Sequence, residues 1–140
     1  MSAENKTTPA AALRTAAYHG DLTVVRHLVR EGVDTNIPDE WWRTPLSLAA
    51  GAGHLEIVTF LVQNGAWVDP YDDYDTHNSP LSEAAGRGHL RIVQALIAAG
   101  ANPQLHVGFA QATAEFYART NGHPDVSRYL QTIMGIEGDK

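Results

Sequence analysis

The chain repeats itself four times, and this repetition limits its fold more than any other feature. The segment TPLSLAAGAGHLEIVTFLVQNGA (44–66) aligns with SPLSEAAGRGHLRIVQALIAAGA (79–101) at an offset of 35 residues. Residues 11–33 align upstream at an offset of 33, and residues 113–133 align downstream at an offset of 34. Repeats of this length are typical of chains in which each unit packs only against its neighbours. An open stack of similar units is therefore expected.

Each unit contains the signals for two helices. Thr44 and Ser79 are predicted N-caps, and each is followed by proline, which is favoured at the first helical position. Small residues then allow a close approach between helices, and a glycine ends the first helix. The second helix has apolar residues at helical spacing. In the two most similar units these residues are Leu55, Val58, Leu61 and Val62, and Leu90, Val93, Leu96 and Ile97.

These units resemble ankyrin repeats over residues 10–134. The resemblance implies an all-α solenoid of four helix-turn-helix units joined by β-hairpin-like finger loops. The expected repeats are about 10–38, 39–71, 72–106 and 107–134, between polar tails at 1–9 and 135–140.

The chain departs from the family pattern at a few positions. The first unit has Ala11, Ala12 and Leu13 where the others have the TPL or SPL motif, as expected of a capping repeat. Ser47 and Ser82 replace the family histidine after this motif. Trp42 replaces a finger glycine, so this turn either differs or holds a tryptophan at an unfavourable positive φ.

The charge and composition exclude several classes of protein. Ten Lys and Arg face sixteen Asp and Glu, a net charge of −6. This balance disfavours nucleic-acid binding, which needs a basic face. The chain has no cysteine, its start is polar, and no apolar run approaches the ~18 residues that span a bilayer. We expect a cytoplasmic monomer that binds neither nucleic acid nor membranes.

The segment DPYDDYDTHNSP (69–80) raises the question of a metal site. From the helix-ending glycine to the next cap, this finger is fourteen residues long, against twelve and thirteen in the others. It is therefore a lengthened finger and not a linker. Calcium binding at Asp69–His77 remains an alternative, but the glycine and the bidentate glutamate of a calcium loop are missing.

The first two fingers collect acids and aromatics. The acids are Asp34, Asp39, Glu40, Asp69, Asp72, Asp73 and Asp75, opposed only by Arg43. The aromatics are Trp41, Trp42, Trp67, Tyr71 and Tyr74, and Phe109 lies on the third finger. Such a surface suits a basic protein partner through ion pairs and cation–π contacts. For Trp42 and Trp67 the favoured interpretation is packing beneath a neighbouring finger.

The resemblance also implies a concave binding face made of finger residues and the ends of the first helices. Its candidates, joined to those of the long finger, are Tyr18, His19, Glu40, Trp41, Arg43, Ala52, Tyr71, Asp72, Asp73, Tyr74, Asp75, Thr76, Asn78, Arg87, Phe109, Ala112 and Asn121.

No residue pattern points to catalysis, a cofactor or a metal. His54, His89 and His123 recur at repeat spacing, which favours hydrogen bonds between neighbouring loops. Glu83 and Glu115 are predicted to lie on solvated helix surface. Asn36 falls in a pattern at which some ankyrin asparagines are hydroxylated, although a bond to the finger backbone is favoured.

The predicted function is a non-catalytic protein-interaction module. Two alternatives stay open. One is a stoichiometric inhibitor, such as an immunity protein that neutralises a basic toxin or enzyme, and the other is a calcium-regulated binding protein.

Overall fold

The computed structural model describes residues 8–69 and 77–135, and these residues form four helix pairs. The first pair is α1 (Pro9–His19) and α2 (Leu22–Arg30), and the second is α3 (Pro45–Ala52) and α4 (Leu55–Gln63). The third is α5 (Pro80–Gly86) and α6 (Leu90–Ala98), and the fourth is α7 (Ala114–Thr120) and α8 (Pro124–Ile133). The predicted all-α repeat solenoid is confirmed.

The inner helices of the two central units begin at capping boxes. The amide of Ser47 donates to the Thr44 hydroxyl at 3.1 Å, and the amide of Thr44 donates to the Ser47 hydroxyl at 2.9 Å. Ser79 and Ser82 form the same pair of bonds. The serines that replace the family histidine therefore satisfy amides that have no partner within the helix.

The first unit begins earlier than the repeat alignment predicts. Helix α1 has eleven residues, against eight in α3, and its N-cap is Thr8, whose hydroxyl accepts from the Ala11 amide. Pro9 occupies the first turn. The repeat alignment places Ala11 opposite the Thr44 cap, but the local Thr-Pro pair places the cap of α1 three residues earlier, at Thr8.

The helices form two rows around one continuous core. Helices α1, α3, α5 and α7 pack in sequence along the inner row, and α2, α4, α6 and α8 cover them on the outside. Ala49, Ala50, Ala84 and Ala85 are fully buried. Because these side chains are small, the inner helices approach closely, and apolar residues from both rows fill the remaining space.

Histidines connect each of the two central units to the unit before it. Gly53 ends its helix at a φ of 91°, and the following His54 has its Nε2 atom 2.9 Å from the Tyr18 carbonyl. His89 makes the equivalent contact with the Gly51 carbonyl at 3.1 Å. The predicted hydrogen bonds between neighbouring loops are confirmed for His54 and His89.

Glu115 corrects one expectation. It stands where Leu46 and Leu81 stand in the central units, and it is 8% exposed, so it does not lie on a solvated surface. Its Oε1 atom accepts from Ser127 at 2.7 Å and from Gln131 at 2.9 Å. Burial raises the pKa of this carboxyl, but these bonds and the charge of Arg119 outweigh that effect and lower it below 4.5. The ionised carboxylate is thereby held between α7 and α8.

Among the helices that the structure describes, none is long and apolar enough to cross a membrane.

Candidate functional site

A cavity of about 600 Å³ lies between the fingers and the inner helices. We call it the groove. Its walls come from the first finger (33–43), from residues 77–78 at the end of the second finger and from the third finger (101–112), and its floor comes from α1, α3, α5 and α7.

The first finger has a turn built around Asp39. One carboxylate oxygen of Asp39 accepts from the amides of Trp41 at 2.9 Å and Arg43 at 2.8 Å, and the other accepts from Arg43 Nε at 2.8 Å. Trp42 holds the left-handed conformation, with a φ of 63°. The turn thus keeps the backbone geometry of the family glycine, and Trp42 carries the strain of a bulky residue at positive φ.

This turn exposes both of its tryptophans. Trp41 is 62% exposed and Trp42 is 47% exposed, and both line the groove. The ring of Trp42 lies 5.5 Å from that of His77 across the gap to the next finger. Trp67 is 60% exposed and lies outside the groove. The interpretation that Trp42 and Trp67 are packed beneath a finger was therefore wrong: their backbones are fixed, but their rings face solvent.

Asp39 also neutralises the cation of the first finger. The guanidinium of Arg43 pairs with Asp39 and lies 5.1 Å from the Trp41 ring centroid. The guanidinium therefore makes both an ion pair and a cation–π contact at the rim of the groove.

The third finger is a short hairpin that displays Phe109. Val107 and Ala112 exchange backbone hydrogen bonds of 3.0 and 3.1 Å, and Gly108 and Gln111 both have positive φ. The Tyr117 hydroxyl donates to the Val107 carbonyl at 2.7 Å. A methyl group on Gly108 would come within 2.5 Å of that hydroxyl, so this approach requires glycine. The fixed hairpin leaves the Phe109 ring 93% exposed.

Glu83 contributes a carboxylate to the groove. One of its oxygens accepts from Asn78 Nδ2 at 3.0 Å, and the other lies 4.0 Å from Arg87 Nε. A methyl group on Gly51 of the neighbouring helix would stand 3.4 Å from this second oxygen. The same methyl group would stand 3.6 Å from Arg87 Nε, so Gly51 leaves this side of the ion pair uncovered.

The structure brings about half of the predicted site residues together. Those that line the groove are Tyr18, Glu40, Trp41, Arg43, Ala52, Asn78, Arg87 and Phe109. His19 and Asn121 lie outside it, and the Asn121 amide donates to the Gly86 carbonyl at 2.9 Å. Ala112 is buried in the third-finger bridge, so its side chain is not part of an exposed ridge. Tyr71, Asp72, Asp73, Tyr74, Asp75 and Thr76 lie outside the described residues, as does most of the proposed calcium loop.

Sequence reasoning missed part of the lining. Trp42, His77, Glu83 and Tyr117 belong to the groove and were not among the candidates. Glu83 falls at the repeat position of Leu48 and Tyr117, which also line the groove. The alignment of Glu83 with these two positions could have identified it as a lining residue. Among the described residues, no group of three His, Asp or Glu side chains could hold a metal ion.

The chain is similar to known proteins that contain ankyrin repeats. A family profile for ankyrin repeats in three copies matches residues 13–107. The potassium channel SKOR of Arabidopsis thaliana is 43% identical over 51 residues, which is 36% of this chain and 6% of the channel. Ankyrin repeat domain-containing protein 39 of Homo sapiens is 39% identical over 54 residues, which is 39% of this chain and 30% of that protein.

The chain is thus matched to less than a third of the length of each of these relatives. Ankyrin repeats are generally non-catalytic modules for protein interaction. Because the family profile spans more than half of the sequence and the described residues form four stacked helix pairs, this chain belongs to the ankyrin-repeat family.

Proposed function

We propose that this protein binds another protein through the groove and the finger tips around it, without catalysing a reaction. The supporting observation is the set of exposed aromatics at one cavity: Tyr18, Trp41, Trp42 and Phe109. Large rings that remain in solvent despite a rigid backbone are typical anchors of protein interfaces. Because the two turns are already ordered, binding loses little conformational entropy there.

The partner we propose has a basic surface. The chain carries a net charge of −6, and the cation of Arg43 is already paired with Asp39. Glu40 lines the groove and is exposed, and the sequence places Asp72, Asp73 and Asp75 in the adjoining finger. Acids around aromatic anchors favour approach by Lys and Arg.

The experiment compares tryptophans of equal exposure. The partner is captured from a lysate of the source organism with the wild-type chain, identified by mass spectrometry, and titrated by calorimetry. Trp41→Ala and Phe109→Ala should each weaken binding by about tenfold or more, as expected of interface anchors. Trp67→Ala is the matched control, because its ring is as exposed as that of Trp41 but lies outside the groove.

Equal affinities of the wild type and the groove variants, or an equal loss in Trp67→Ala, would reject the groove as the binding site. Melting temperatures show whether each variant remains folded. The stoichiometry and any loss of the captured protein's own activity then separate an inhibitor from an adaptor.

A further inference from the structure

Glu83 presents a partly satisfied carboxylate to the groove from helix α5. Its Oε1 atom accepts from Asn78 at 3.0 Å, but among the described residues its Oε2 atom has only the long contact of 4.0 Å with Arg87. A strong bond between a carboxylate and a guanidinium is more than 1 Å shorter. The Arg87 side chain is 66% exposed, so it is held loosely. An incoming cation therefore displaces a weak partner.

The surroundings of Glu83 suit a planar cation. Gly51 has no side chain to cover the ion pair of Glu83 and Arg87, and the exposed rings of Trp41 and Trp42 line the same cavity. Arginine is favoured over lysine at such a site, because a guanidinium can pair with two carboxylate oxygens and stack on an aromatic face. The first finger already contains this combination in Arg43, Asp39 and Trp41.

We propose that the groove selects an arginine side chain of the partner, which replaces Arg87 as the ion-pair partner of Glu83 and stacks against the finger tryptophans. This inference rests on the proposed function, since it names the residue type that the groove binds. It makes Arg87 an internal competitor of the partner's arginine. Glu83 therefore favours binding of the partner's arginine, whereas Arg87 opposes it.

The test uses short peptides in place of the unidentified partner. Acetylated and amidated Gly-Gly-X-Gly-Gly peptides, with X as arginine, lysine, leucine or glutamate, are titrated into the labelled full chain and followed by heteronuclear NMR. We expect millimolar binding of the arginine peptide, with shifts at the Trp41 and Trp42 indole groups and the Gly51 amide. Lysine should bind more weakly, and leucine and glutamate should cause no saturable shift.

Two variants and two charge-matched controls complete the design. Glu83→Gln keeps the shape of the side chain. It should lower the affinity for the arginine peptide about tenfold, which is the effect of losing one charge-assisted hydrogen bond. Arg87→Gln should strengthen binding severalfold. Glu56→Gln and Arg91→Gln make the same charge changes at exposed positions of α4 and α6 and should leave binding unchanged.

Several outcomes would overturn the inference. They are weaker binding in Arg87→Gln, a preference for glutamate or leucine, equal gains in Arg87→Gln and Arg91→Gln, and no binding by any peptide. Each of these leaves the proposed function standing if Trp41→Ala and Phe109→Ala still lower the affinity for the captured protein. If Trp41→Ala and Phe109→Ala no longer lower the affinity for the captured protein but the arginine peptide is still preferred, only the proposed protein interface is rejected.

Discussion

Asn36 and Asp69 occupy the same place in consecutive fingers, four residues after Gly32 and Gly65. The Asn36 amide oxygen accepts from the Trp67 amide at 2.8 Å, and its nitrogen donates to the Gly65 carbonyl at 3.2 Å. Asn36 thus bonds the finger backbone as predicted, and it joins two units. Asp69 repeats only the first bond, from the Asn102 amide at 2.8 Å, because an ionised carboxylate cannot donate.

The second oxygen of Asp69 is buried and has no hydrogen-bond partner among the described residues. Burial raises the pKa of this carboxyl above its ordinary value of 3.8, although the bond from Asn102 lowers it. The fold therefore disfavours the ionised form. The contribution of Asp69 to the free energy of unfolding should therefore rise as the pH falls through the raised pKa, because the carboxyl is then protonated.

Asp69→Asn should stabilise the protein at neutral pH. By the register with Asn36, the new amide would donate to the Gly100 carbonyl. We expect a gain of about 1 kcal/mol in the free energy of unfolding, reduced from the full value because the side chain is only half-buried. Urea unfolding at pH 7 and at acidic pH measures this, and the difference between variant and wild type should narrow in acid.

The reverse change at the equivalent position is the control. Asn36→Asp should destabilise the protein by about 1 kcal/mol, since it removes a donor from the Gly65 carbonyl. A destabilising Asp69→Asn, or an advantage that does not depend on pH, would contradict the assigned role of Asp69.

The inner helices owe their close packing to alanine. Ala84 is 0% exposed on α5, which packs against both α3 and α7. A larger side chain there has no free volume to enter. The helices must therefore separate or adopt strained rotamers.

Ala84→Leu should reduce the free energy of unfolding by about 1–3 kcal/mol through overpacking. Ala98→Leu is the matched control, because it makes the same change at an exposed position on α6 and should alter stability by no more than about 0.5 kcal/mol. Urea midpoints compare the two variants. Equal midpoints would show that the inner row is not packed as described.

The stack has two kinds of unit, central and terminal. Helices α3 and α5 have inner-row neighbours on both sides, whereas α1 and α7 each have one among the described elements. In repeat proteins stability comes largely from contacts between neighbouring units. Opening should therefore begin at the ends of the described stack.

Native-state hydrogen exchange tests this gradient along the chain. Amides of α3 and α5 should exchange at least about tenfold more slowly than those of α1 and α8, because local opening at a terminal unit breaks only one interface. Equal rates in all four units would instead show that the chain opens as one cooperative block.

The sequence predicted those features that depend on neighbours along the chain. The N-caps at Thr44 and Ser79, the glycine turns and the spacing of apolar residues each act within a few residues, and the structure confirms them. The Thr8 cap of α1 follows from the local Thr8-Pro9 pair and is not indicated by the alignment with later repeats. The lining of the groove was predicted in part, since register identifies exposed positions but not which side chains share a cavity.

Repetition and turn chemistry alone therefore determined the number of units, their helical character and the family. Only the tertiary structure decided which polar side chains find hydrogen-bond partners and which side chains stay exposed at the groove, because both depend on residues far apart in the chain. Glu115 becomes a buried carboxylate through Ser127 and Gln131, twelve and sixteen residues away. Trp41, Glu83 and Phe109 meet at one groove because stacking places successive fingers side by side.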